Sequence, residues 1–167
     1  MFDKFGEFNS VEELNAAAEG FRNEGDLESL MALAQENGLD PDDAQDYVDG
    51  IIDKLATKRT AAMGRVALQK EQGPTRYIAM VETMVATDEE IQIKIMKKGK
   101  RLQEIHDITL AVAGKKARRL YEREHKPVAA AGFETDMQVK KLIRSYLSMD
   151  KTEFEKYVYD GTEVWSV

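Results

Sequence analysis

The densest chemistry in the chain lies in one stretch, ENGLDPDDAQDYVDG, spanning Glu36 to Gly50 with six Asp or Glu among fifteen residues. Clustered carboxylates suggest a hard cation. An EF-hand loop needs oxygen ligands at positions 1, 3 and 5, glycine at 6 and glutamate at 12. Counted from Asp40, position 3 is Asp42, but positions 5, 6 and 12 are Ala44, Gln45 and Ile51, so the calcium pattern fails. The acids recur at helical spacing instead. Asp42, Asp46, Asp49 and Asp53 share one face of a helix, with Glu36 and Asp40 nearby. Such a row can dock on the basic channel of a nucleic-acid enzyme, in place of phosphates. The plain alternative is a solvated helix face with a well-charged N-terminus.

The second pattern is cationic. KKGKR at 97–101 returns as KKARR at 115–119, eighteen residues later. Eighteen residues are five α-helical turns, about 27 Å of rise. On one continuous helix Lys97 and Lys115, Lys98 and Lys116, Lys100 and Arg118, and Arg101 and Arg119 fall at equal azimuth. Two such clusters on a rod could grip phosphates or an acidic surface. They could equally pair with the chain's own acids, and a break at Gly114 would spoil the alignment.

Covalent and acid–base chemistry has little to stand on. His106 and His125 are the two histidines, and adjacent residues such as His106 and Asp107 do not face each other on a helix. There is no glycine-rich phosphate loop, GxSxG or HExxH pattern. A helix-turn-helix at NGLD would carry the recognition helix PDDAQDYVDG, whose acids repel phosphate. We therefore assign no catalytic residue, cofactor or metal ligand, and expect a protein that is not an enzyme.

The elements that must position these charges read as helices. Ser10 and Glu13 have capping-box spacing before the stripe Val11, Leu14, Ala17, Ala18 and Phe21. Asp26 precedes Leu27, Leu30, Met31 and Ala34, and Asn37-Gly38 is a helix stop. Asp40-Pro41 starts a helix whose stripe, Ala44, Tyr47, Val48, Ile51, Ile52 and Leu55, predicts continuation toward about Lys70. Gly73-Pro74 is the clearest break, and 75–86 predicts a further helix. Thr87 and Glu90 have capping spacing ahead of a long helix over 88–125. Thr135 caps another, and Asp150 begins a last short one. Asp160-Gly161 between β-prone residues suggests a small terminal hairpin.

The expected fold is mainly α: a bundle with an acidic N-terminal unit over 1–72 and a basic central helix with a C-terminal helical part over 73–167, which could also form one continuous domain. The 167 residues suffice for a core without cross-links, and there is no cysteine. No apolar run reaches the ~18 residues of a membrane span, and MFDKFGEF lacks the basic start and apolar run of a signal peptide. These features lead to the expectation of a cytoplasmic protein with no membrane partner. The net charge of −7 is unevenly spread. Residues 1–55 hold 15 acids and 3 bases, whereas 56–127 hold 9 acids and 16 bases. The long helix leaves a homodimer open.

The start MFDKFGEFNSVEELNAAAEG and the run ALAQENGLDPDDAQDYVDG resemble small accessory proteins of phages and mobile elements in gut Firmicutes, some of them anti-CRISPR proteins. The resemblance covers the first third of the chain. It implies a stoichiometric inhibitor, in the bacterial cytoplasm, that binds the type II RNA-guided CRISPR nuclease or its guide-loaded complex. It assigns no residue a role. The other reading is a nucleic-acid-binding accessory protein working through Lys97–Arg101 and Lys115–Arg119.

Overall fold

A computed structural model describes residues 3–70, 75–127 and 135–160. Among them the regular structure is helical, with no strand, so the protein is mainly α as the sequence predicts. The helices are α1 (Val11–Glu24), α2 (Leu27–Glu36), α3 (Pro41–Val48), α4 (Lys58–Ala67), α5 (Thr75–Thr87), α6 (Glu89–Ile95), α7 (Leu102–Glu124), α8 (Asp136–Ser148) and α9 (Lys151–Glu155), followed by a π-helical turn, Lys156–Asp160. The hairpin suggested at Asp160-Gly161 turns on residues outside those described.

The chain divides into two compact units. One comprises Met1–Glu71 and Ile78–Lys100, the other Gln72–Tyr77 and Arg101–Val167. Ile78–Lys100, which lies after the Gly73-Pro74 break in the sequence, clusters with the first unit.

In the first unit the caps follow from local sequence. Ser10 Oγ accepts the N–H of Glu13, and the Asp26 carboxylate accepts that of Ser29. Asp40 accepts from Asp42, with Pro41 at the first helical position, where its missing N–H costs nothing. Leu14, Ala18, Leu30, Leu33, Ala44 and Tyr47 then point inward into one core.

Two expected helices are shorter than predicted. The helix from Asp40 does not run to Lys70. It stops at Val48, and Gly50 takes φ +75, a left-handed value that glycine adopts without Cβ strain. Ile51, expected in the core, is 70% exposed, while Leu55 and Ala56 are buried on the return path. Thr57 then starts α4 through a reciprocal cap with Thr60. The second break divides the 88–125 helix. Asp88, and not Thr87, caps α6 by accepting from Glu90 and Ile91. The chain turns at Gly99, φ +80, and α7 begins afresh at Leu102. The buried Ile91, Ile95 and Met96 serve the first unit, and Leu102, Ile105 and Ile108 the second. One straight helix would have to bury both sets along a single stripe. Gly114, the suspected weak point, lies inside continuous α7.

An N-terminal strap closes the first unit. The N–H groups of Lys4 and Phe5 donate to the Glu36 carboxylate at 3.0–3.4 Å. The Phe5 ring meets Phe21 edge-on at 5.3 Å. Arg65, in α4 and only 1% exposed, forms an ion pair with Glu7 and donates to the Phe8 carbonyl at 2.9 Å.

Gly64 is required for space. A Cβ there would lie 2.4 Å from the Asn37 carbonyl oxygen and 2.9 Å from that of Gly38. Both are backbone atoms, so neither can rotate away. Gly64→Ala is expected to destabilise the protein by about 1–3 kcal/mol, the usual range for overpacking. Gly114→Ala, whose Cβ meets nothing within 4 Å, should be neutral or slightly stabilising. Thermal melts of the two variants check the contrast.

Candidate partner-binding surfaces

α3 carries the acidic surface. Asp42 and Asp43 lie in its first turn, at the positive end of the helix dipole. Asp49 caps its C-terminus and accepts from the Gln45 side chain at 3.0 Å. Asp42, Asp43, Asp49 and Asp53 are exposed and Asp46 is half-buried. The structure thus brings Asp42, Asp46 and Asp49 onto one short helix. Asp53 leaves that row, because the chain turns at Gly50 before reaching it. Among the described residues none of these five carboxylates lies within 4 Å of a Lys, Arg or His nitrogen.

Beside this surface lies a groove of about 1030 Å³, open to solvent, with α1 as one wall and residues 53–58 in the other. Glu12 and Glu19 stand on the α1 wall, Asp53, Lys54 and Lys58 opposite. Arg22 and Tyr47 also line it, the guanidinium 4.7 Å from the ring centroid, a cation–π contact. Asn15 fixes the walls: its amide donates to the Ala56 carbonyl at 2.8 Å and accepts from the Ala56 N–H at 2.9 Å. Sequence reasoning missed this groove. Its one local signal is a polar Asn15 beside the α1 stripe.

The basic clusters do not share a helix. Lys97, Lys98, Lys100 and Arg101 sit in the connection between α6 and α7. Their pairing at equal azimuth with Lys115, Lys116, Arg118 and Arg119 therefore fails, because a helix register cannot persist through the turn at Gly99. That turn is held from the first unit's strap: Gly99 N–H donates to Glu7 at 3.0 Å and Lys98 N–H to Asn9 at 3.2 Å. Lys97 and Lys98 are exposed. On α7, Lys116, Arg118 and Arg119 are exposed, and Arg118 pairs with Glu122 at 3.5 Å. Lys115 is half-buried and donates to the Tyr157 carbonyl at 3.5 Å.

In the second unit a buried polar contact fixes the start of α7. The Tyr146 hydroxyl accepts the Arg101 N–H at 2.7 Å and donates to the Glu104 carboxylate. Burial, reinforced by Glu104, holds this phenol above the ordinary tyrosine range. The Arg101 side chain makes no helix cap, and its backbone N–H is taken by a residue 45 positions away. His106 lies 6.2 Å from the Tyr77 ring and forms no acid–base pair with Asp107. Among the described residues no three His, Asp or Glu side chains are grouped to hold a metal, and no helix is long and apolar enough to cross a membrane.

Comparison with protein-family models, curated proteins and solved structures finds no match to this chain.

The raised Tyr146 pKa has a definite sign. The folded state favours the neutral phenol, so its stabilising contribution is complete below the unfolded value of about 10 and is lost as the pH rises above it. Tyr146→Phe is expected to cost about 1–3 kcal/mol at neutral pH, by removing hydrogen bonds to a backbone N–H and a carboxylate. It should also flatten the alkaline decline. Melts of both proteins from about pH 8 to about pH 11 check this.

Proposed function

We propose that this chain is a non-enzymatic binding protein that presents the α3 carboxylates to a basic surface on a protein partner. The observation that carries the reading is the set of acids at 42–53, exposed except for the half-buried Asp46, with no cation of the described residues within 4 Å. Unneutralised charge held on a folded helix is complementary to a cationic surface and speeds encounter with it. The specific partner follows from the resemblance of the N-terminal third to anti-CRISPR proteins. It is the type II RNA-guided nuclease, in the cytoplasm of a bacterial host, whose positively charged channel holds the guide–target duplex. Asp42, Asp46 and Asp49 on α3, with Asp53 beside the groove, are the residues assigned to this contact.

A second reading rests on α7, where Lys116, Arg118 and Arg119 are exposed together. A cationic helix of this kind binds nucleic acid through phosphates, with affinity falling steeply as salt rises.

Titration of guide-loaded nuclease with this protein before target DNA is added tests the first reading. Cleavage is expected to disappear near equimolar protein. Combined Asp→Asn changes at 42, 46, 49 and 53 should raise the amount needed at least tenfold. Full cleavage at large excess would reject that nuclease as the partner. Salt-dependent binding of duplex DNA by the chain alone, lost on neutralising Lys116, Arg118 and Arg119, would favour the second reading.

A further inference from the structure

α3 ends in a tight reversal. Beyond its cap residue Asp49, the Gly50 N–H donates to the Tyr47 carbonyl at 3.3 Å and the Ile51 N–H to the Asp46 carbonyl at 2.9 Å. These are the paired bonds of a Schellman motif, with Gly50 at its left-handed position. The residue in the place of Ile51 usually packs back on an apolar side chain in the last turn of the helix. Here the positions it would meet are Gln45 and Asp46, so Ile51 has no apolar seat on α3 and is 70% exposed. Leu27 and Ile93 of the same unit are better covered, at 45% and 47%. The core draws instead on the residues that follow: Ile52 packs against it and Leu55 is buried within it. The turn is firmly seated. Arg22, whose guanidinium lies over the Tyr47 ring, also backs Gly50, where a Cβ would come within 3.1 Å of its Nη2. Asp49 and Asp53 flank Ile51 two residues to either side, and with Asp46 they have no described Lys, Arg or His nitrogen within 4 Å. The cations closest in the chain and in space, Lys54 and Arg22, line the groove beside α1, as does Asp53; Ile51 does not.

We infer, on the reading that the α3 face binds a protein, that Ile51 is the apolar anchor of that contact, and that it enters an apolar pocket of the partner rimmed by lysine or arginine. A β-branched side chain on a turn already fixed by two hydrogen bonds has little freedom left to lose on binding. Protein contacts concentrate their affinity in a few desolvated residues at the centre of the patch, while the charges around them select the partner. An apolar centre among unpaired carboxylates therefore calls for the opposite pattern, an apolar pocket among cations. The same acids disfavour other occupants. They repel the phosphates of nucleic acid and of anionic lipid. A second copy of this face would set Asp46, Asp49 and Asp53 against themselves.

The test titrates guide-loaded type II nuclease with the full chain in a calorimeter, at low and at high salt. Ile51→Ser is expected to weaken binding at least tenfold at both salt concentrations, because an apolar contact is not screened. Ile51→Leu, which keeps the apolar volume, should restore most of the affinity. Combined Asp→Asn changes at 42, 46, 49 and 53 should weaken binding at low salt and flatten its salt dependence. Thermal melts of Ile51→Ser should match those of the parent, since the side chain is exposed. Parental affinity in Ile51→Ser beside a weakened Asp→Asn protein would overturn the anchor and leave the α3 reading standing. A loss in Ile51→Ser that Ile51→Leu does not recover would overturn it too. So would Ile51-dependent self-association in sedimentation, or Ile51-dependent binding of phosphatidylserine vesicles. An Asp→Asn protein that binds like the parent, or a parent that does not bind, would overturn the α3 reading for this nuclease and the anchor with it.

Discussion

The first unit is organised by a guanidinium that cannot be left alone. Arg65 is almost wholly buried, and an unpaired buried charge would cost several kcal/mol. Its partners are the Glu7 carboxylate and the Phe8 carbonyl, so the strap before α1 must lie against α4. Glu7 then uses its second oxygen on the Gly99 N–H, and Asn9 takes the Lys98 N–H. The same strap donates its Lys4 and Phe5 N–H groups to Glu36 at the end of α2. A segment with no regular structure thereby joins α2, α4 and the turn after α6. The turn that separates the two basic clusters is tied to an acid more than ninety residues away in sequence.

The α3 acids stand apart from the ion pairs of this unit. Cations of the same unit are engaged elsewhere: Arg65 with Glu7, Lys58 with Glu89, Lys70 with Glu82 and Lys94 with Glu90. Arg22, beside α3, lies over the Tyr47 ring. The exposed pairs among these contribute little stability, but they set where charge is cancelled and where it is not. Among the described residues no Lys, Arg or His nitrogen comes within 4 Å of the carboxylates of Asp42, Asp43, Asp46, Asp49 or Asp53. A surface of that kind adds little to folding, and its physical consequence is attraction to an external cationic surface.

Local physics was legible in the sequence. Ser10, Asp26, Asp40, Thr135 and Asp150 each cap the helix assigned to them, because a side-chain oxygen three or fewer residues from an orphan N–H needs no distant partner. The breaks at Gly50 and Gly99 were harder. Apolar residues stay in helical phase from Ala44 to Leu55, yet phase does not say whether one helix or two serve the core. Only the turn back into that core exposes Ile51 and buries Leu55. The Glu7–Arg65 pair and the Tyr146 contact to Arg101 had no local signature at all, being 58 and 45 residues apart. Of the candidate surfaces, the α3 acids were visible as a row, except for Asp53. The alignment of the two basic clusters required a continuity that the fold does not keep.

The central claim is that the α3 face is where a partner binds. Hydrogen–deuterium exchange of this protein, free and mixed with guide-loaded type II nuclease, addresses it residue by residue. Slowed exchange concentrated at 40–53 on mixing, and lost when Asp42, Asp46, Asp49 and Asp53 are changed to asparagine, is the result the account predicts. A complex that forms with exchange at 40–53 unchanged would contradict it and move the binding surface elsewhere on the chain.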